Sequence, residues 1–411
     1  MIWMLFSVYF LFLMPKINLI SVGGFNAGLR IDDAIIALWL LVFILHAAVN
    51  KKTVIKKTIV RYYLFLLAML IGTVVTFLVF NQGSIIFPFR FLEYFTLFFM
   101  GAYLATKEVN ISALMKCVLY LNVIVSALQF AGVVGGFTVM GYVPTVSGRV
   151  IGLTSGPWEL GVILNFVTCY FLASAARSHY KYFVFAISLV VIFLSGSRMS
   201  FVAQIMIMVI YIFNSTSAVG VIKRVMIIVP FILVALLYLS DSVIAERSEN
   251  LFNMDNITAL PEYYRNTTLV AGNPDWSTSG VLDGNDVDAS WAIRSIKWMY
   301  ALKLFMSNPM FIITGVGAGT FGNALDGGWL RLFTECGIIG ALFFVSFLNR
   351  CKQASVTMKY FFVAFAINML MIDIYMSYKV MAMLLFVAGY MTTFSSMGIE
   401  PPKPRMIKIK K

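Results

Sequence analysis

The sequence is poor in charge. Of its 411 residues only 12% are Asp, Glu, Lys or Arg, against 61% hydrophobic. Such a chain cannot cover a single soluble core with a solvated charged surface. Histidine is scarcer still: His46 and His179 lie far apart in sequence, so no histidine-based metal site is expected. The four cysteines, Cys117, Cys169, Cys336 and Cys351, form no CxxC or paired pattern, and read as small residues buried in apolar segments rather than as a disulfide framework. The first apolar segment lacks a basic lead-in and an A-x-A cleavage site, so it reads as a retained helix. Internal repeats, coiled-coil heptads and low-complexity tracts are missing as well.

What the sequence does have is a succession of apolar runs about 20 residues long, the length that a helix needs to cross the bilayer core. The fold expected is an all-α polytopic membrane protein with about 12 transmembrane helices. They fall near 1–15, 31–49, 60–80, 88–105, 112–133, 150–174, 180–195, 199–216, 224–240, 329–348, 359–376 and 378–396. The chain therefore divides into an N-terminal transmembrane bundle of about nine helices (1–240), a long polar loop (241–328), C-terminal transmembrane helices (329–396) and a basic tail (397–411).

A net charge of +13 would invite nucleic acid in a soluble chain. Here most basic residues flank apolar segments, where they set topology, and no nucleic acid is expected as a partner. Twelve spans place both termini on one side. Loops on that side carry Lys51, Lys52, Lys56, Lys57, Arg61 and several later lysines and arginines, and the tail adds five more, about 19 basic residues against about 12 on the other face. The termini are thus expected to be cytoplasmic and the 241–328 loop outward.

Arginine dominates the outward face: Arg30, Arg90, Arg149, Arg198, Arg247, Arg265, Arg294 and Arg331 against Lys16, Lys297, Lys303 and Lys379. A planar guanidinium holds phosphate bidentately, whereas lysine is a point charge suited to headgroups. Arg90 and Glu93 have the spacing of a helical ion pair. Arg149 opens the stretch SGRVIGLTSGPWELG, where Gly152, Gly156 and Pro157 suit a broken helix; Glu159 follows in apolar sequence and needs a partner or a function. Arg198 sits in the tight link SGSRMSF, which requires only small polar residues to turn.

Within the polar loop, the first part is rich in Asn, Thr, Asp and Gly and reads as coil. Residues 289–306 read as an amphipathic helix lying in the membrane interface, with Trp291 and Trp298 at headgroup level and Arg294 on its polar side. Pro309 ends it, and GVGAGTFGNALDGG then brings a closely approached or mobile backbone to Asp326. Asp326 suits either of two roles, general base or N-cap of the following helix.

Three segments resemble the bacterial O-antigen polymerase (Wzy) and O-antigen ligase (WaaL) superfamily of membrane glycosyltransferases: GRVIGLTSGPWELG (148–161), LSGSRMSF (194–201) and RSIKWMYALKLFMSNPMFIITGVGAGTFGNALDGGWLRLFTECGIIG (294–340). The resemblance implies a multi-pass protein of the bacterial inner membrane with its active site facing the periplasm. It implies undecaprenyl-diphosphate-linked oligosaccharides as substrates and diphosphate-holding arginines that map onto Arg149, Arg198 and Arg294. Since arginines can neutralise the leaving group and no carboxylates cluster as a metal site, no metal or cofactor is expected. A membrane protein that regulates chain length is left open as a further partner. Ligases of the superfamily carry a His-Asn pair where this chain reads Asp326-Gly327, which favours the polymerase over the ligase. A lipid-linked glycan transporter would account equally for outward arginines and glycine-broken helices.

Attack of a sugar hydroxyl on an anomeric carbon needs a base at the nucleophile and charge stabilisation on the departing diphosphate. Asp326 is the expected base, with Asp288 or Asp286 behind it. Arg198 and Arg294 are the expected charge stabilisers, and Arg149, Glu159, Trp291 and Asp288 complete the substrate-binding set.

Overall fold

The computed structural model describes residues 1–15, 18–22, 27–49, 56–136, 148–174, 176–214, 218–237, 258, 260–270, 289–322, 324–400 and 402. Asp283, Asp286 and Asp288, most of the polar loop before residue 289 and nearly all of the basic tail lie outside these residues. The described chain is helical, with one short antiparallel hairpin, β1 (Asn18–Val22) and β2 (Ala27–Arg30).

Every apolar run expected to be helical contains a helix: α1 (Ile2–Leu13), α2 (Ile31–Val49), α3 (Lys56–Phe80), α4 (Phe87–Thr106), α5 (Ser112–Phe130), α6 (Pro157–Ala173), α7 (Ser178–Ser195), α8 (Arg198–Phe213), α9 (Ala218–Leu237), α13 (Gly328–Lys352), α14 (Val356–Asn368) and α15 (Tyr378–Met397). Between α9 and α13 lie α10 (Leu260–Asn266), α11 (Ala289–Met306) and α12 (Pro309–Thr314). Among the described residues, five helices are long and apolar enough to cross a membrane: α3, α5, α7, α13 and α15.

Local sequence sets the boundaries. Pro88, Pro157 and Pro309 stand in the first turns of α4, α6 and α12, where a missing N–H costs nothing. Ser355 and Ser377 cap α14 and α15 with their side chains. Two departures from the expected boundaries matter for function. The helix expected over 150–174 begins only at Pro157. The helix expected over 359–376 ends at Asn368, and an irregular segment with a short 3-10 turn (Ile374–Met376) leads into α15.

The helices pack unequally. Of the apolar window of α15, 83% is buried inside the protein, against 28% for α3, so α15 is a central helix and α3 presents much of its surface outward. α15 crosses α4 at a pair of glycines. A Cβ on Gly101 would stand 2.0 Å from the Phe386 carbonyl oxygen, and one on Gly389 would stand 2.0 Å from that of Phe98. Small residues let the two backbones touch, the usual device of helix pairs in lipid. Aromatic rings fill the core of the bundle, with Tyr62 stacked on Phe95 at 4.0 Å and Phe166 on Phe361 at 4.4 Å.

α13 is not continuous. Gly337 has φ 64 and ψ 177 inside it. A Cβ there would lie 2.3 Å from the Ile313 carbonyl oxygen, and one on Gly315 would lie 2.2 Å from that of Glu335. The break lets the chain after α12 enter against the helix, where the Val316 amide donates to the Thr334 carbonyl at 2.8 Å. The glycines of GVGAGTFG and ECGIIG thus answer to each other across one contact.

Candidate active site at the 369–377 segment

α11 supplies the first wall. Arg294, Lys297 and Trp298 stand three and four positions apart, hence on one face. That face grips the segment 324–326: Lys297 Nζ donates to the Ala324 carbonyl at 2.9 Å, and Trp298 Nε1 to the carbonyls of Leu325 and Asp326 at 3.2 and 3.3 Å. Arg294 Nε meets Asp326 Oδ2 at 3.4 Å. Further along α11, Tyr300, Ala301 and Leu304 are buried in a small second core with Phe311, Val316, Phe321 and Leu325, against which Trp298 also packs. The helix expected to lie in the membrane interface therefore has an apolar side seated on protein. Trp291 stands in its first turn, with its side chain outside the described part.

Asp326 is not a helix cap. The capping position of α13 is Gly327, without a side-chain cap bond, and Asp326 itself adopts a left-handed backbone with φ 59, a conformation that Asp tolerates better than most residues. The cap reading is thereby corrected: the carboxylate turns toward Arg294 instead. Asp373, from the segment before α15, accepts from three consecutive amides of this loop. Its Oδ2 accepts from Leu325 at 2.6 Å and Asp326 at 3.3 Å, and its Oδ1 accepts from Gly327 at 3.0 Å.

Beneath this loop lies a fully buried charge cluster. Arg331 donates through Nη1 to Asp373 at 3.0 Å, through Nε to Glu335 at 3.1 Å and through Nη2 to the Gly322 carbonyl at 2.6 Å. Glu335 also accepts from the Gly319 amide at 3.2 Å and the Tyr375 hydroxyl at 3.0 Å. Arg331 is 0% and Glu335 1% exposed. Arg331 belongs to the arginines counted on the outward face; the structure encloses it, because two carboxylates and a carbonyl satisfy its donors inside the fold. Lys379 is enclosed likewise, 1% exposed with Nζ on the Leu153 carbonyl at 2.6 Å.

The second wall comes from the stretch before α6. Residues 151–153 are not helical; side chains of α5 replace the lost ladder. Gln129 Oε1 accepts from the Ile151 and Gly152 amides at 2.9 and 2.8 Å, and Asn122 Oδ1 from the Leu153 amide at 3.0 Å. Glu159, 0% exposed, accepts from the Ser155 amide at 2.7 Å and from the Ser377 hydroxyl. Both of its oxygens are thus engaged by the fold, and its expected place among substrate contacts gives way to a role in joining α6 to α15.

Arg149 lies against the end of α7. Its Nε donates to the Ser195 carbonyl at 2.8 Å and its Nη2 to the Gly196 carbonyl at 3.1 Å, so a cation sits where helix carbonyls are unpaired. Two residues later, half-buried Arg198 opens α8. The hydroxyl of Ser200 then reaches the Asn368 Oδ1 at 2.9 Å. Arg90 packs its guanidinium 5.5 Å from the centre of the Phe87 ring.

These contacts share one partner. The stretch 368–379 receives α8 at Asn368, the Asp326 loop at Asp373, α6 at Ser377 and the 151–153 stretch at Lys379. The segments bearing Arg149, Arg198 and Arg294 with Asp326 are therefore anchored on the same short piece of chain. Sequence reasoning missed Asp373, Glu335 and Tyr375. The signal was present, since a carboxylate in apolar sequence needs a partner, and the rule that singled out Glu159 applies equally to Glu335 and Asp373.

Electrostatically the site mixes signs. Burial pulls the Lys297 ammonium below the usual lysine range, against the raising pull of Asp326 and then Asp373. Among the described residues no group of three His, Cys, Asp or Glu side chains could hold a metal ion. No model of a known protein family matches the chain, and no curated protein matches it.

Proposed function

We propose that this protein is a surface-polysaccharide polymerase of the O-antigen type. In this reading it crosses the bacterial inner membrane about 12 times, keeps both termini in the cytoplasm and works at the periplasmic face. It transfers an undecaprenyl-diphosphate-linked glycan to the non-reducing end of a lipid-linked repeat unit and releases undecaprenyl diphosphate. The observation that carries the reading is the pairing of Arg294 Nε with Asp326 at the edge of a loop held from two sides, with no hydrogen bond from the terminal nitrogens of Arg294 to any other of the described residues.

Chemically, an acceptor hydroxyl gives its proton to Asp326 and its oxygen bonds the anomeric carbon. The bond from that carbon to the diphosphate oxygen breaks, and the electron pair leaves with the diphosphate. Arg294, Arg198 and Arg149 stabilise that charge, which develops only as the bond breaks. Exchange of Asp326 for a diphosphate on Arg294 would free the carboxylate where the acceptor must lose its proton.

Purified protein reconstituted with lipid-linked repeat units tests the reading. Dimers and longer products are expected, and Arg198→Ala and Arg294→Ala should stop their formation while both variants remain in the membrane. No product from the wild-type protein would favour the transporter, product only with lipid A core as acceptor would favour the ligase, and normal ladders from both variants would remove these arginines from the site.

A further inference from the structure

We propose that Asp373 is a positioning residue for Asp326, and that Arg331 is the anchor which holds Asp373 in place. The proposal rests on the polymerase reading for its kinetic consequence, but its geometric content stands apart from it. Three consecutive amides, those of Leu325, Asp326 and Gly327, converge on one carboxylate at 2.6, 3.3 and 3.0 Å. Consecutive amides close on an anion in this way when the backbone passes through a left-handed residue, which forms a concave nest. Here that residue is Asp326 itself, with φ 59. The buried anion therefore fixes the backbone conformation of the residue whose own side chain faces the site.

The anchoring goes one level deeper. Asp373 is 8% exposed and would be expensive to bury alone. Arg331 Nη1 pairs with it at 3.0 Å, while the other donors of the same guanidinium hold the Gly322 carbonyl and Glu335. One planar group thus ties the segment before α15, the glycine-rich approach and the first turns of α13 into a fixed relation. The side chain of Asp326 stays outside this cluster, with Arg294 Nε as its protein partner. The two carboxylates divide the labour: Asp373 is enclosed and sets geometry, and Asp326 is partly open and meets substrate.

A merely stabilising ion pair would tie α13 to α15 without regard to the conformation of residue 326. Positioning makes a narrower claim, that loss of the amide contacts moves Asp326 while the bundle stays assembled. Asp373→Glu separates the two. It keeps the negative charge for Arg331 but lengthens the arm by one methylene, so the protein folds while the amides lose their register.

The experiment has two arms. In the first, emission attributable to Trp298, obtained by difference from Trp298→Phe, reports the loop without any substrate, because Trp298 Nε1 bonds the carbonyls of Leu325 and Asp326. Asp373→Glu and Asp373→Asn are expected to shift that emission to the red and open it to acrylamide. An unchanged Trp298 signal in both variants overturns the proposal, whether or not the protein polymerises glycan. In the second arm, Asp373→Glu should lower kcat by about 100-fold with KM nearly unchanged, the size of effect that a misplacement of about 1 Å produces. Asp373→Glu should meanwhile unfold in detergent close to the parent's temperature. A kcat loss matched by a marked fall in unfolding temperature would make Asp373 a structural residue only. A wild-type protein without polymerase activity defeats the polymerase reading and leaves the first arm to decide the positioning claim.

Discussion

Arg294 Nε and Asp326 Oδ2 stand 3.4 Å apart, with their side chains 20% and 35% exposed. An ion pair so open to water contributes at most about 1 kcal/mol. Arg294→Ala and Asp326→Asn should therefore leave unfolding in detergent almost unchanged, within about 1 kcal/mol of the parent, while glycan polymerisation by the same preparations is lost. A large fall in stability together with activity would move the pair from the site to the scaffold.

The buried cluster behaves in the opposite way. Arg331→Met leaves Glu335 and Asp373 facing each other in the interior without their cation, and removing one member of a buried ion pair costs about 3–5 kcal/mol. A marked drop in thermal unfolding temperature is expected. The triple change Arg331→Met, Glu335→Leu, Asp373→Leu should recover part of that loss, because no charge is then left enclosed.

Gly337 tests the break in α13. An alanine there meets the Ile313 carbonyl oxygen at 2.3 Å and must keep φ at 64. The left-handed backbone alone costs about 1–2 kcal/mol, and overpacking against main chain adds about 1–3 kcal/mol. Gly337→Ala should unfold well below the parent in a detergent melt, and alanine at Gly132, where nothing lies within 4 Å of a Cβ, should cost less.

At the centre of the bundle, Gly389→Ala would put a methyl 2.0 Å from the Phe98 carbonyl oxygen, forcing α4 and α15 apart. A loss of about 1–3 kcal/mol follows from overpacking. Cysteine pairs engineered across this crossing should cross-link more slowly in Gly389→Ala than in the parent.

Lys297 gives a pH signature. Its folded value lies below the ordinary 10.5, so between the two values the unfolded chain binds more protons than the folded one, and stability rises with pH across that window. Below the window the full cost of the enclosed ammonium is present. Unfolding measured on the alkaline side should show this rise in the parent and lose it in Lys297→Met.

The sequence by itself determined where the long apolar helices run and which residues have the chemistry to act, because hydrophobic runs, prolines and glycines are local properties of the chain. It did not show α10, which falls inside the stretch read as coil. It drew α11 over 289–306 and marked Asp326, Arg149, Arg198 and Arg294. It could not tell that Arg331 and Lys379 turn inward while Arg294 stays partly open, since all three are cations beside apolar sequence. Burial was decided by what stood opposite: two carboxylates for Arg331, a carbonyl of the broken stretch before α6 for Lys379. Tertiary structure alone made 368–379 the common anchor, because the partners of Asp373, Ser377 and Asn368 lie about 40 to more than 200 residues away along the chain. It also decided that Asp326 is no cap: α13 is entered one residue later, at Gly327, and the Trp329 amide, which a cap at Asp326 would have bound, donates to the Met369 carbonyl from a distant segment instead.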